Sequence, residues 1–187
     1  MDSSILNFPN RGPWGNAGYP GNCSGWVIKA LLEYYQPKLF VDPAEGSGTA
    51  GDVAREIGVA YKGFDLKDGF NVITDSMSVN ADLVFFHPPY HNIVKYSGRV
   101  WGKNDHPQDL SNCASTDDFM FKLKLACLNI WGAVRPGGRL AILIGDVRRN
   151  GTYFSPQAQI QQFRLGKLEG ILIKAQHNTR SAKKRYS

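Results

Sequence analysis

Two short motifs, each set at the end of an apolar run, constrain this chain more than anything else in it. Asp42-Pro43-Ala44-Glu45-Gly46-Ser47-Gly48-Thr49 follows Lys38-Leu39-Phe40-Val41, and His87-Pro88-Pro89-Tyr90 follows Asp82-Leu83-Val84-Phe85-Phe86. Short apolar runs bounded by such breakers read as buried strands. An open α/β sheet builds its ligand crevice from loops at the carboxyl ends of its strands. The first loop is small and glycine-rich, so a ligand can approach its backbone closely. The second is rigid, because two prolines fix φ and remove two N–H donors. Tyr90 adds a ring face that can grip a flat group. The pair predicts a cofactor and a planar substrate meeting at one sheet edge.

The rest of the chain alternates in the way such a sheet requires. Residues 7–25 are dense in Gly, Pro and Asn and read as loop, yet they are aromatic enough to pack on something. Helix is expected over Trp26–Tyr35 and ends before Pro37. Strand at 39–42, helix at about 49–57, strands at 60–65, near 71–74 and at 82–86 follow. After a long connection, 91–116, comes helix 117–134, with Phe119, Leu123, Ala126, Cys127, Ile130 and Trp131 on its apolar face. Arg135-Pro136-Gly137-Gly138 reads as a turn and Leu140–Ile144 as a buried strand stopped by Gly145-Asp146. A helix at about 156–165 and a strand at 170–175 close the pattern. Continuous apolar strands between helices indicate one α/β domain over residues 1–187. Its sheet is mostly parallel, with helices on both faces.

The first loop narrows the cofactor. A phosphate-binding P-loop needs a lysine that is absent here, whereas Gly46, Gly48 and Gly51 match the spacing Gly-x-Gly-x-x-Gly. About 20 residues on, Asp65 ends the next strand, where a carboxylate can accept from both ribose hydroxyls of an adenosine-containing cofactor. NAD and S-adenosylmethionine both satisfy this. A tight strand-to-helix turn without ligand is the alternative. The second loop separates the two cofactors. A dehydrogenase has no evident use for a rigid Pro-Pro carbonyl beside an aromatic ring, but methylation of an exocyclic amine does. That nitrogen is a poor nucleophile while its lone pair is conjugated, and acceptors on its two hydrogens draw it towards sp³ geometry.

Together, Asp42-Pro43-x-x-Gly46-Ser47-Gly48-Thr49 and the later Pro88-Pro89-Tyr90 resemble the amino-DNA methyltransferases, which modify adenine N6 or cytosine N4. The similarity covers about residues 12–175. It implies the Rossmann-like class I methyltransferase fold and S-adenosylmethionine as cofactor. Asp42, Pro43, Gly46, Ser47, Gly48 and Thr49 then form the cofactor motif, and Asp65 holds the ribose. His87, Pro88, Pro89 and Tyr90 form the catalytic loop. By position, the resemblance also carries Asn22 and Ser24 to the methionine carboxylate and Asp75 to the adenine. Arg135-Pro136-Gly137-Gly138-Arg139-Leu140 is similar to the turn before the fifth strand of that class.

The chain departs from the family in three places. Position 87 is His where the family has Asp, Asn or Ser. A neutral imidazole can still accept one hydrogen bond, so activity is expected to fall towards mildly acid pH as His87 protonates. No segment of domain size follows the motifs to read a target sequence. That task falls to loop 91–116, with His91, Lys95, Tyr96, Arg99, Trp101, Lys103 and His106, to the tail, or to another subunit. Finally, no apolar run after Gly170–Lys174 can form the last antiparallel strand of the class. Either the sixth strand slides next to the fifth, or a homodimer or partner chain supplies the missing edge, or the product is truncated; an unpaired edge favours dimerisation or aggregation.

Charge points to the partner. The chain carries 22 basic and 16 acidic side chains; residues 164–187 hold seven of the basic ones (Arg164, Lys167, Lys174, Arg180, Lys183, Lys184, Arg185) and one acid, Glu169. The net charge of +6 thus sits at the end of the chain, including a basic tail over 176–187. A concentrated cationic segment favours a polyanion such as DNA, and a solvated tail is the alternative. No apolar run approaches the ~18–20 residues of a membrane span. Met1-Asp2-Ser3-Ser4 shows no signal peptide. Cys23, Cys113 and Cys127 are too scattered for a metal site or a disulfide framework, which suits a reduced cytoplasm. The expectation is methyl transfer from S-adenosylmethionine to a DNA base amine, adenine N6 ahead of cytosine N4. RNA, a protein glutamine, and a truncated module that binds cofactor or DNA without turnover are the rivals.

Overall fold

The computed structural model describes residues 3–149 and 151–177. In chain order these form β1 (Ile5–Leu6), α1 (Gly25–Tyr35), β2 (Leu39–Asp42), α2 (Thr49–Ile57), β3 (Ala60–Gly63), β4 (Ala81–Phe86), α3 (Thr116–Gly132), β5 (Val134–Ile142), β6 (Val147–Arg149), β7 (Thr152–Phe154), α4 (Pro156–Ile160) and β8 (Ile173–Lys174). Four strands make the main sheet in the order β3-β2-β4-β5, all parallel.

Each face of the sheet takes alternate residues of the apolar runs. Phe40, Leu83 and Phe85 pack against Val27, Ile28, Leu31 and Leu32 of α1 and Ala50, Val53 and Ala54 of α2. Their neighbours Val41, Val84 and Phe86 pack against Phe119, Leu123, Ala126, Cys127 and Ile130 of α3. This is why the strands read as unbroken apolar runs rather than alternating ones. Helix ends follow local chemistry. Gln36 closes α1 in the left-handed region (φ 46°), with Pro37 next, while Gly48 (φ 80°) and Gly58 (φ 79°) bracket α2. Ser115 accepts from Asp118 N–H to cap α3.

The connections set the crevice. From β2 the chain passes through α2 to β3 on one side, then crosses back to β4 on the other side of β2. Connections that diverge in this way leave a gap above the carboxyl ends of the two central strands. The loops 42–48 and 87–90 both lie there.

Several expectations are corrected. Residues 71–74 are a turn, not a strand. The Asp75 carboxylate accepts from Asn71 N–H (2.8 Å), Asn71 Oδ1 accepts from Ile73 N–H (3.0 Å), and Asn129 of α3 donates to Val72 and Asp75 carbonyls (2.8 Å each). These side chains take over the backbone groups that a strand would have paired. Arg135-Pro136-Gly137-Gly138 lies inside β5, as a bulge over which Ala81–Leu83 oppose Val134–Arg139. Gly137 turns at φ 77°, and a Cβ on Gly138 would stand 2.8 Å from the Ala81 carbonyl oxygen. Residues 140–144 are half-buried rather than buried, because β5 is the sheet edge. The helix expected at 156–165 is one short turn of α followed by a 3₁₀ turn, Gln161–Phe163. The strand expected at 170–175 shrinks to β8, which pairs with β1 and not with β5.

Among the described residues no strand pairs with the outer edge of β5. The segment after α4 packs Phe163 and Leu165 on the α3 side of the core and is tied to β5 by the Arg139–Glu169 ion pair (2.5 Å). Most of the basic tail, with Arg180, Lys183, Lys184 and Arg185, lies outside the described residues. Among those described, no helix is long and apolar enough to cross a membrane. The three cysteines are buried and free.

Candidate active site

The glycine-rich loop is held by hydrogen bonds that leave its glycines turned outwards. Asp42 Oδ1 accepts from Ala44 N–H (2.9 Å), Gly48 N–H donates to Glu45 O (2.9 Å), and Phe64 bridges the two strand ends, donating to Asp42 O (2.9 Å) and accepting from Glu45 N–H (3.0 Å). Gly46 (φ 52°) and Gly48 (φ 80°) occupy a region that other residues adopt only with strain. Asp65 is joined to this loop directly. Its Oδ2 accepts from Gly46 N–H at 2.8 Å and its Oδ1 from Lys67 N–H at 3.0 Å. An ionised carboxylate offers about four acceptor positions, so lone pairs remain for two hydroxyls. Gly51 has a packing role: a Cβ there would sit 2.9 Å from the Tyr61 ring of β3.

Opposite stands the proline loop. His87 and Pro89 face the crevice, and Pro88 is buried behind them. His87 Nε2 lies 3.1 Å from the Tyr90 hydroxyl, with the rings at 70°. Tyr90 is supported from β5's end, since a Cβ on Gly145 would come within 3.0 Å of the tyrosine ring. Burial, with a smaller push from the Lys174 charge, lowers the His87 pKa to about 4. Burial also raises the Tyr90 phenol above its ordinary range. At neutral pH both groups are therefore uncharged, and a His87 pKa lowered to about 4 places its protonation below the mildly acid range expected from the sequence.

The crevice floor is acidic. Asp42 is buried (4 % exposed), and burial pushes its carboxyl pKa up to about 8. Cys23 beside it is pushed up to about 12, chiefly by burial and then by Asp42's charge, so the thiol is inert. Asp42, Glu45, Asp65 and Asp109 all line the crevice, and no lysine or arginine among the described residues does.

Of the residues singled out from sequence, Asn22, Asp42, Pro43, Gly46, Ser47, Thr49, Asp65, His87 and Pro89 line this one crevice. Gly48, Pro88 and Tyr90 stand behind it as shaping residues. Two lie elsewhere. Ser24 is buried at the start of α1, with its hydroxyl 3.4 Å from the Asn10 and Arg11 carbonyls. Asp75 is spent on its own turn, bonding Asn71 and Thr74.

Four aromatic residues join the crevice that no motif had placed there. Tyr19, Phe70, Tyr96 and Trp101 line it. The aromatic content of residues 7–25 is the sequence signal for Tyr19. That segment is indeed packed down: Trp14 donates to Glu56 (2.7 Å), and Lys29 lies within 5.7 Å of both the Trp14 and Trp26 rings. Tyr19 covers Gly46 and stacks near Tyr96 at 6.0 Å, whose hydroxyl donates to Pro20 O (3.2 Å). The long connection is likewise built. The buried Asp109 carboxylate accepts from the N–H and hydroxyl of both Ser97 and Ser111 at 2.7–2.8 Å. Tyr96 and Trp101 therefore form crevice wall. His91 packs edge-on against Phe119, and His106 Nδ1 accepts from Gln108 N–H. Lys95, Arg99 and Lys103 are left at the surface.

No family model matches this chain, and no curated protein matches it by sequence. Among solved structures, human N-acetylserotonin methyltransferase in complex with S-adenosylmethionine is similar at a TM-score of 0.43 and 13 % identity, over 82 % of this chain and 41 % of that one. The S-adenosylmethionine-dependent methyltransferase SibL, in its apo form, is similar at 0.35 and 16 %, over 85 % and 36 %. The chain thus spans about two-fifths of the length of these proteins. The sheet order and the site above define a Rossmann-like, doubly wound α/β protein with an acidic crevice at its switch point.

Proposed function

We propose that this protein transfers a methyl group from S-adenosylmethionine to an exocyclic amine of a DNA base, adenine N6 ahead of cytosine N4. One observation carries the cofactor: Glu45, Asp65 and Asp109, with the buried Asp42 carboxyl, line a crevice that has a glycine loop at one wall, and no lysine or arginine among the described residues lines it. A dinucleotide brings a pyrophosphate into such a site and is repelled. S-adenosylmethionine brings a sulfonium and an ammonium and is attracted. Asp65 is the ribose acceptor, Gly46 and Ser47 offer close backbone approach, and buried Asp42 holds the turn of the glycine loop through Ala44 N–H. When bound, the cofactor supplies an electrophilic methyl on sulfur.

The proline loop does the rest. The Pro88 carbonyl accepts one amine hydrogen and the His87 imidazole the other, which localises the lone pair on the nitrogen. His87 can accept only with the nitrogen not engaged by Tyr90. The productive arrangement therefore has Nε2–H donating to the Tyr90 hydroxyl and Nδ1 carrying the lone pair. The target base leaves the duplex stack to reach this loop. Surface cations Lys95, Arg99 and Lys103 and the basic tail contact phosphates, so binding weakens steeply with salt.

Incubation with unmodified genomic DNA and methyl-labelled S-adenosylmethionine, followed by nucleoside mass spectrometry, tests this reading. Labelled N6-methyladenine or N4-methylcytosine is the expected product. Label in RNA or protein glutamine supplied in parallel, with none in DNA, overturns the DNA assignment. Cofactor uptake with no labelled product leaves a non-catalytic binding module.

A further inference from the structure

Residues 145–155 form an element that neither motif accounts for. β6 and β7 pair antiparallel with Val147 opposite Phe154 and Arg148 opposite Tyr153. Directly opposed residues share a face of the ribbon. Phe154 packs on the α3 side of the core, so the Val147–Phe154 face points inwards. The Arg148–Tyr153 face points to solvent, where Arg148 is exposed and Tyr153 is 65 % exposed.

The ribbon is anchored to the proline loop. Asp146 accepts from the Tyr153 hydroxyl and from the Ser155 hydroxyl (2.7 Å), which pins the base of the hairpin and orients the tyrosine ring. One residue earlier, Gly145 lies against the Tyr90 ring. The ribbon thus stands next to Tyr90 of the proline loop, with Arg148 and Tyr153 side by side on its solvent face.

We propose that the Arg148–Tyr153 face grips the DNA strand next to the extruded base. Arg148 pairs with a phosphate, and the Tyr153 ring stacks on the adjoining base. A cation and a flat ring on directly opposed residues, whose Cβ atoms stand about 5 Å apart, suit the alternation of phosphate and base along an unstacked strand. The Asp146 charge, next to this face, is occupied by two hydroxyl donors and sits at the hairpin base. The assignment rests on the reading of a DNA-base substrate above.

Fluorescence anisotropy with labelled single-stranded and duplex oligonucleotides, across a salt series, tests it, with S-adenosylmethionine affinity measured on the same proteins. Tyr153→Ala is expected to weaken single-strand binding about tenfold, and Tyr153→Phe, which keeps the ring, by much less. Arg148→Ala is expected to lower the log–log salt slope by about 1. Cofactor affinity stays within about twofold in all three. Wild-type DNA binding that both alanine variants retain unchanged overturns the hairpin assignment and leaves the methyltransferase reading intact. Loss of cofactor binding in Tyr153→Ala makes the tyrosine structural and overturns it too. A wild-type chain that takes up cofactor and binds neither oligonucleotide removes both readings.

Discussion

The carboxyl ends of β2 and β3 and the outer edge of β5 belong to one sheet but are finished in opposite ways. At the first, the turns are closed from within. Asp42 holds Ala44, Phe64 bridges Asp42 and Glu45, and Asp65 holds both Gly46 and Lys67. At the second, a nine-residue strand has β4 as its sheet neighbour, and among the described residues the half-exposed Arg139–Glu169 ion pair ties it to the segment after α4. Short-range chemistry completes the crevice. At the edge, no strand among the described residues does the same.

Stability should separate the two regions most strongly. Phe85, 2 % exposed between the sheet and α1, is expected to cost about 3–5 kcal/mol on truncation to Ala. Leu172, 39 % exposed in the segment that follows α4, is expected to cost less than about 0.5 kcal/mol. Urea unfolding of both variants checks this, and equal losses would erase the difference between the two regions.

Next in size is the cofactor end. Asp65→Ala removes the acceptor of Gly46 N–H together with the ribose carboxylate. Calorimetry is expected to show S-adenosylmethionine affinity falling about 100-fold, because the partly buried Gly46 N–H is left unpaired and the charge-assisted hydrogen bonds to the ribose are removed.

The buried titratable groups carry the contrast into pH. Asp42's pKa is raised by folding, so the native state holds its proton longer than the unfolded chain does, and stability falls as pH rises towards about 8. His87's is lowered, so stability falls as pH drops from about 6.5 to about 4. The two oppose each other in the acid range and leave Asp42 alone above pH 6.5. Wild-type melting temperature is expected to decline between pH 6.5 and 8, and in Asp42→Asn to stay flat. Methyl transfer, which needs neutral His87, is expected to hold its rate from pH 8 to 5 wherever the protein remains folded. A rate that halves near pH 6.5 would show a His87 that titrates as if exposed. The weakest change belongs to Glu169→Ala, which breaks the ion pair across β5 and is expected to shift stability by no more than about 0.5 kcal/mol.

Much of the crevice is legible in the residues themselves, because its parts are local. Pro37, Gly48 and Gly58 punctuate helices at the chain positions where they sit, and the continuous apolar runs at 39–41 and 82–86 announce strands covered on both faces. Gly46 and Asp65 are predictable as a pair because one βαβ unit brings them together. Asp75 fails as a cofactor residue because a short polar side chain a few positions beyond a glycine can equally close its own turn. Asn71 and Asp75 do so, and the strand expected there is lost. Tyr19, Phe70, Tyr96 and Trp101 come to the wall from three separate connections, and no spacing in the chain encodes that meeting. The β6–β7 hairpin hides behind Gly145-Asp146, which reads as a stop, because three-residue strands are too short to show their alternation.

Every role proposed for the site depends on the crevice between the two loops taking a cationic, adenosine-containing cofactor. Calorimetric titration of the wild-type protein with S-adenosylmethionine and, separately, with NAD⁺ decides whether it does. The expected outcome is saturable one-to-one binding of S-adenosylmethionine, abolished or strongly weakened in Asp65→Ala, with no measurable heat from NAD⁺. Binding of NAD⁺ in preference to S-adenosylmethionine, or S-adenosylmethionine binding indifferent to Asp65, would refute it.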